Sequence, residues 1–367
     1  MANTYQKPKF AKLDRANFFP TLKKRIDGYF KDNNIAKQGN FEMFLKTMIL
    51  LTLYLVPYIL ILTNMFSTWA VIGLLSIIGF AKAGIGMAIM HDANHGAYSS
   101  KSWINNLFGG TMYLIGGSPT MWKIQHNVLH HTYTNVLHVD EDIETKFILR
   151  LSPYAPLKPI HKHQYWYAFL LYGLMTFSFL IKDFIKVFRY KREQGSSAKY
   201  NTRKELFTIL GTKVVYLFLA LVIPFLLLDV SFGWIFLSFL FVHHIVGMIL
   251  SIVFQLAHLV EITNHHTATE ESQDWENTWA IHQLETTADF ARKNSFLNWY
   301  LGGLNYQVEH HLFPNICHVH YSKISDIVKE TAQEYGITYN EYPTFMGAFV
   351  SHIRVLKWLG KTEMVNA

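Results

Sequence analysis

Three features of the sequence predict an all-α integral-membrane fold: four transmembrane helices, paired as two hairpins, with interfacial helices and a cytosolic helical cap. Half of the 367 residues are hydrophobic and only 16% are charged. Mean hydropathy is +0.12, more than a soluble domain of this size needs, and the apolar residues gather into long runs. Histidines stand in groups at the ends of those runs.

Residues 1–43 are polar and rich in cations, among them Lys7, Lys9, Lys12, Lys23, Lys24 and Lys31, and read as a cytosolic N-terminal region. They lack the short apolar run and small-residue cleavage site of a signal peptide, so none is expected. The first apolar run extends from Met48 to Thr63, or from Phe44 if Lys46 snorkels. The second, Trp69 to Met90, contains one charge, Lys82, whose long stem is expected to reach the interface. The third covers Leu206 to Leu228 and is broken by Pro224; the fourth covers Phe232 to Leu256. Each is long enough to cross ~30 Å of hydrocarbon as a helix.

Two shorter, aromatic-rich stretches, Trp103–Pro119 and Tyr165–Ile181, read as interfacial helices. The membrane domain is expected over 44–321. Residues 322–367 read as a cytosolic helical tail: Ile324, Ile327 and Val328 fall at helical spacing behind Ser322 as N-cap. Within it, Phe345–Leu359 is expected to rest on the cap or the membrane surface.

Net charge is +7 with histidine neutral. The cations flank apolar runs, which fits a membrane surface and an anionic head group and argues against nucleic acid. The connectors 64–68 and 229–233 hold no Lys or Arg, while the N-terminal region and the loop Lys182–Lys204 are strongly basic. The positive-inside rule therefore places both termini and the central region in the cytoplasm. Cys317 is the one cysteine, so an intrachain disulfide and a thiolate metal site are excluded.

Of 19 histidines, His91 and His95 follow the second run, and His126, His130 and His131 form a second group. His310 and His311 follow Gln307, and His258 lies just past the fourth run. Residues four apart on a helix share a face, with Cβ atoms ~5–6 Å apart. His91 and His95 can then aim at one point, as can His126 and His130. His131, turned by ~100°, aims at another. Divergent neighbours suit two metals, and imidazole suits Zn, Cu, Fe and Ni. A lone histidine is ordinarily a core or surface residue, and one HxxxH pair is weak; three clusters beside membrane segments point to a metal centre. One shared centre requires that neither interfacial stretch cross the membrane, because either crossing would put two clusters on opposite sides.

At HDANH, HNVLHH and QVEHH the chain resembles the membrane fatty-acid desaturase family, whose boxes HxxxH, HxxxHH and (H/Q)xxHH lie on the cytosolic side of four transmembrane helices. The flanks HDANHGAYS, HNVLHHTYTN, FQLAHLVE, HQLETTADFA and NYQVEHHLFP match as well, and the resemblance covers residues 40–330. It implies an O2-dependent fatty acyl desaturase. Two iron ions would be ligated by His91, His95, His126, His130, His131, His258, His310 and His311. Gln307 would occupy a ligand position or bind through water. Glutamine there resembles the front-end subgroup, which places a double bond between an existing one and the carboxyl end. An asparagine found in some relatives one turn before the His258 position falls on Phe254 here. The substrate implied is a fatty acyl-CoA or an acyl-lipid. No HPGG motif of a fused cytochrome b5 domain occurs, so a separate donor of ferredoxin or cytochrome b5 type is expected.

Removing hydrogens from unactivated methylenes is beyond any side-chain acid or base, which agrees with an iron–O2 enzyme. Asp92, Glu261, Glu309 and His282 are candidates for orienting the imidazoles. Asp140, Glu141 and Asp142 are also considered, with a surface position as their default. Trp69, Trp122, Trp234 and Met248 are candidate tunnel residues. His243 and His244 lie ~22 Å before His258 along a helix, too far for the same centre, and read as interhelical hydrogen-bond partners. His265, His266, His318 and His320 read as cap or surface residues. A histidine-box hydroxylase or sphingolipid desaturase would share the centre and remains the alternative. A bilayer haem protein or transporter is disfavoured, because the histidines cluster outside runs that are nearly free of ionisable groups. No HExxH motif of a zinc protease is present.

Overall fold

The computed structural model describes residues 5–12, 17–145, 148–194, 199–271 and 273–365. Helix α1 (Phe18–Asp32) is amphipathic and buries Phe18, Leu22, Ile26 and Phe30 along one stripe. Helix α2 (Phe41–Leu62) starts at Asn40, whose side chain accepts from the Met43 amide. Helix α3 (Thr68–Asn94) loosens into a wide π-type turn over Ile85–Met90 and tightens again at His91–Asn94. After α4 (Ser102–Gly109), α5 (Pro119–Lys123) is capped by Ser118 and opens into a second wide stretch, Ile124–His130.

Helices α6 (Gln164–Tyr172) and α7 (Met175–Gln194) follow, then α8 (Thr202–Leu227) and α9 (Phe232–His258). In α8 the turns over Phe218–Val222 widen just ahead of Pro224, which has no N–H to give its preceding turn. The remaining helices are α10 (Trp279–Thr286), α11 (Ser295–Tyr300), α12 (Gln307–Leu312), α13 (Tyr321–Glu334) and α14 (Phe345–Leu359). Two-residue parallel ladders pair Val136–Leu137 with His266–Thr267 and Asp289–Phe290 with Glu341–Tyr342. These short ladders are the exception to an otherwise helical fold.

Helices α2, α3, α8 and α9 are each long and apolar enough to cross a membrane. The pair Pro159–Tyr172 and Met175–Glu193, bent by 81°, meets that test only if counted as one broken span. Helix α3 is the central element: 61% of its apolar window is buried inside the protein, against 17% for α8. Ile78, Ala83 and Met87 of α3 pack with Ile115 and with Val242, Val246 and Val253 of α9. Among apolar surroundings such packing rests on close fit more than on water exclusion. Gly247 illustrates it, since a Cβ there would lie 2.7 Å from the carbonyl oxygens of Tyr172 and Gly173.

Two lysines depart from expectation. Lys46 does not snorkel; it is 1% exposed, with Nζ 2.6 Å from His318 Nε2. Lys82 faces the bundle interior and donates to the Tyr216 hydroxyl at 3.0 Å. Both stand on faces turned toward the protein, so the stem has no route to the interface. The helix expected behind Ser322 begins at Tyr321, with His320 as N-cap and no side-chain cap bond. Its Ile324 and Val328 pack against α1, and α14 buries Ala348, Ser351, His352, Val355 and Leu356 against neighbours that include α6 and α9.

Candidate metal centre

The two wide turns set the geometry of the histidines. In the stretch Ile124–His130 the amide of His131 donates to the His126 carbonyl at 3.0 Å, five residues back. The larger turn brings residues four and five apart to either side of the same line. His126 therefore faces His131, their Nε2 atoms 3.2 Å apart, and also meets His91 Nε2 at 3.2 Å. His126 also keeps the expected pairing with His130: their rings stack at 5.3 Å, and with Asp142 they offer ligand atoms within 4.8 Å of one another.

Beyond that pair, ligand atoms of His91, His95, His126 and His310 converge within 4.8 Å of one another, and those of His130, His258 and His311 form a second such group. His131 stands between them, its ring 4.5 Å from His310 and 4.4 Å from His311. Helix α12 supplies one histidine to each group, and α3 with its C-cap supplies His91 and His95 to the first. Gln307 is buried at the start of α12, one turn before His310 and His311.

The outward nitrogens are held by the protein. His130 Nδ1 donates to Asp140 Oδ2 at 3.0 Å, His311 Nδ1 to Gln283 Oε1 at 2.9 Å, and His258 Nδ1 to the Thr286 carbonyl at 3.2 Å. His310 Nδ1 lies 3.2 Å from the Tyr321 hydroxyl. The opposite atoms, Nε2 of His130, His258, His310 and His311, are buried with no hydrogen-bond partner among the described residues, as is Nε2 of His95. Orphaned buried nitrogens are costly unless something binds them. Aimed together with their Nδ1 atoms tethered, they fit a cation-binding set. Burial, reinforced by the neighbouring imidazoles, holds His126, His131, His310 and His311 well below the ordinary histidine range. Each is thus neutral and carries a lone pair for a metal. Imidazole donors suit Zn, Cu, Fe and Ni alike, so the set is compatible with iron.

The second layer differs from expectation. Asp140 is fully buried rather than on the surface, and it also accepts from the Asn135 amide at 3.0 Å. Asp142 lies 3.7 Å from His130 Nδ1 and accepts from Gln125. Glu141 pairs with Arg189. Glu261 takes no part: it is exposed, 3.5 Å from Arg354, because the chain turns out to the surface after His258. Asp92 meets His91 only at 3.9 Å and binds His318 instead, accepting from its amide at 3.1 Å and its Nδ1 at 2.8 Å. His318 is buried rather than superficial and links Asp92 to Lys46. His320 is likewise buried, 3.1 Å from the Gln38 carbonyl.

Glu309, next to His310, turns away from the rings. It shares the Tyr339 hydroxyl with Asp289, and burial beside that second carboxyl raises its pKa. His282 contacts the chain just past the second box, with Nε2 3.0 Å from the Thr134 carbonyl and its ring 5.2 Å from Phe10. Trp122 stacks on His126 at 4.3 Å, and Phe254 lies 4.8 Å from His130. Trp69 and Trp234 are 82% and 65% exposed on the outer surface, and Met248 packs in a separate core cluster, so none of the three touches the centre. Gln283, Thr286 and Tyr321 were not anticipated; the stretch HQLETTADFA that contains the first two was the available signal.

Residues 67–343 match the family model described as fatty acid desaturase. The chain is 34% identical over 362 residues to the sn-1 linoleoyl-lipid 6-desaturase of Arthrospira platensis, covering 97% of this chain and 96% of that protein. A protein of the same description from Synechocystis sp. is 35% identical over 367 residues, 95% of this chain and 97% of the relative. The acyl-lipid (8-3)-desaturase of Physcomitrium patens is 34% identical over 366 residues, 96% of this chain and 74% of that protein.

Proposed function

The chain belongs to the fatty acid desaturase family, and we propose that it places a cis double bond on the carboxyl side of an existing one in lipid-linked acyl chains. Support for the lipid-linked substrate comes from the names of the relatives, which specify acyl-lipid and linoleoyl-lipid. The observation that carries the reading is the set of unpartnered, buried Nε2 atoms converging from four separate stretches of chain.

Two iron ions fit these donors. His91, His95, His126 and His310 would hold one, His130, His258 and His311 the other, with His131 between and Gln307 completing the set directly or through water. Bound there, the irons would supply the oxidation, with O2 and two electrons as inputs. The chain's own residues prepare the place. Asp140, Gln283, Tyr321 and the Thr286 carbonyl fix the imidazoles so that each presents Nε2 inward. Their burial keeps bulk water away from the place where the reaction would occur. Trp122 and Phe254 flank the histidines with apolar surface against which methylenes can lie.

In this reading α2 with α3 and α8 with α9 form two hairpins, and the termini and the centre face the cytoplasm. Residues 1–43 form a cytosolic N-terminal region, 44–321 the membrane desaturase domain and 322–367 a cytosolic tail. The basic segment 182–204 supports that orientation. Electrons arrive from another protein of ferredoxin or cytochrome b5 type. Expression in a host fed linoleate, with mass-spectrometric mapping of lipid acyl chains, tests the function. A new double bond on the carboxyl side of the existing ones is expected; hydroxylated chains, or no new product, would contradict it.

A further inference from the structure

The histidine centre opens outward at one of its members. Of the eight histidines brought together there, His95 alone is partly exposed, and the other seven are buried. Around His95 the chain leaves Trp122, Lys123 and Asn127 half-buried. The Trp122 ring lies 5.8 Å from His95 and 4.3 Å from His126. Asn127 donates through Nδ2 to the carbonyl of Asn94, the residue before His95, at 3.0 Å. Lys123 follows Trp122 directly. Burial holds His95 well below the ordinary histidine range, and the Lys123 cation is among the neighbouring charges that push the same way.

Lys123 is a cation with no task in the fold. Burial lowers its pKa, and no carboxylate opposes that shift. Lys186 and Lys213, by contrast, face Glu141 at 3.8 Å and Asp183 at 2.8 Å. A lysine in the last turn of a helix ordinarily serves the free carbonyls there. Helix α5 leaves none free, because the chain runs on into the wide turns from Ile124. A half-buried ammonium at the mouth of a site is costly without a partner and favours a ligand that brings an oxygen.

Placing a double bond on the carboxyl side of an existing one requires that the carboxyl end be held close to the centre. Three backbone bonds span ~3.6 Å, so the five bonds from carbon 1 to carbon 6 of an extended acyl chain span ~6 Å. Lys123 precedes His126 by three residues, roughly 4.5 Å of helical rise. An ester carbonyl held at its ammonium therefore leaves carbon 6, the position in the names of two relatives, beside the histidines. The Trp122 ring lies along the methylenes between.

Resting on the acyl-lipid desaturase reading, we propose that Lys123 anchors the carboxyl end of the substrate: its ammonium donates to the carbonyl oxygen of the glycerolipid ester and so sets which carbons lie over the centre. A charge-assisted bond is roughly twice as strong as one from a neutral donor, which suits a residue that holds a flexible chain in register. No bond to carbon is made or broken at Lys123.

The test compares 1-linoleoyl-lysophosphatidylcholine with its ether-linked analogue, which keeps the chain and the phosphate and lacks the carbonyl. Equilibrium binding to the full-length protein in detergent is measured without O2, so that no turnover occurs. Wild type should bind the ester about ten-fold more tightly, as one hydrogen bond from a charged donor provides. Lys123→Met should abolish the preference, and Lys123→Arg should keep most of it. In membranes supplied with O2, Lys123→Met should also spread the new double bond over neighbouring carbons, which a loss of packing alone would not do. Equal binding of the two lipids by wild type, a result that needs no variant, overturns the anchor, as does an unchanged preference in Lys123→Met. Wild type that prefers the ester yet forms no double bond contradicts the desaturase reading and leaves the ester site standing, whereas wild type that forms the double bond without the preference removes only this inference.

Discussion

His130 Nδ1 and Asp140 Oδ2 lie 3.0 Å apart with both side chains buried. The bond turns Nε2 of His130 toward His258 and His311, and Asp140 is itself tied down by the Asn135 and Asp142 amides. Asp140→Asn keeps the shape and loses the charge that favours an Nδ1–H. Loss of a partner that orients a ligand histidine typically costs 10–100-fold in metal affinity or activity, and a drop of that size in both iron retention and turnover is expected. Unchanged iron content would separate Asp140 from the centre.

Gln283→Leu should act on the other side of the same group. Its Oε1 is the acceptor for His311 Nδ1 at 2.9 Å, and leucine leaves that N–H with only the more distant Thr134 hydroxyl at 3.3 Å, a loss of about 1 kcal/mol. Lower iron retention on dialysis against a chelator, with membrane insertion preserved, is the expected result.

Glu261→Gln is the contrasting case. The carboxylate is exposed beside Arg354, and surface pairs of this kind contribute ~0–1 kcal/mol. Iron content and product yield should match wild type; a loss of either would return Glu261 to the centre.

Gly302→Ala tests the packing of the cap on α3. Gly302 has φ +61°, and a Cβ there would sit 2.7 Å from the Met87 oxygen and the Ala88 Cα. The left-handed conformation alone costs an alanine ~1–2 kcal/mol, and the clash presses on the wide turn that leads to His91. A lower unfolding temperature in detergent and reduced iron content are expected, with Gly336→Ala, open to space at φ +68°, losing stability without losing iron.

Much of this was legible in the residues. The four apolar runs became α2, α3, α8 and α9, with ends within four residues except at the start of α2, seven residues before Met48, because helix length and hydropathy are local properties. The histidine boxes were legible as a centre because of their number and spacing. Which further histidines each one meets was not, because a regular α-helix does not foresee the wide turn at Ile124–His130, where His130 meets His258 and His311 as well as His126. Lys46 and Lys82 were misread for a related reason: hydropathy marks a charge in a span but does not say whether its helix face looks out to lipid or inward. Asp140 looked like one of three surface acids, and only the turn that returns it beneath His130 makes it a partner. Glu261, four sequence positions from Ala257 and close to His258, is carried outward by the same kind of tertiary event.

The iron content of the purified full-length protein tests the central claim most directly. Elemental analysis should find about two irons per chain in wild type, as a paired centre requires, and clearly less after His130→Ala or His310→Ala, each variant still inserted in the membrane and devoid of product. Protein that desaturates without iron, or that keeps its full iron after both substitutions, would contradict the account.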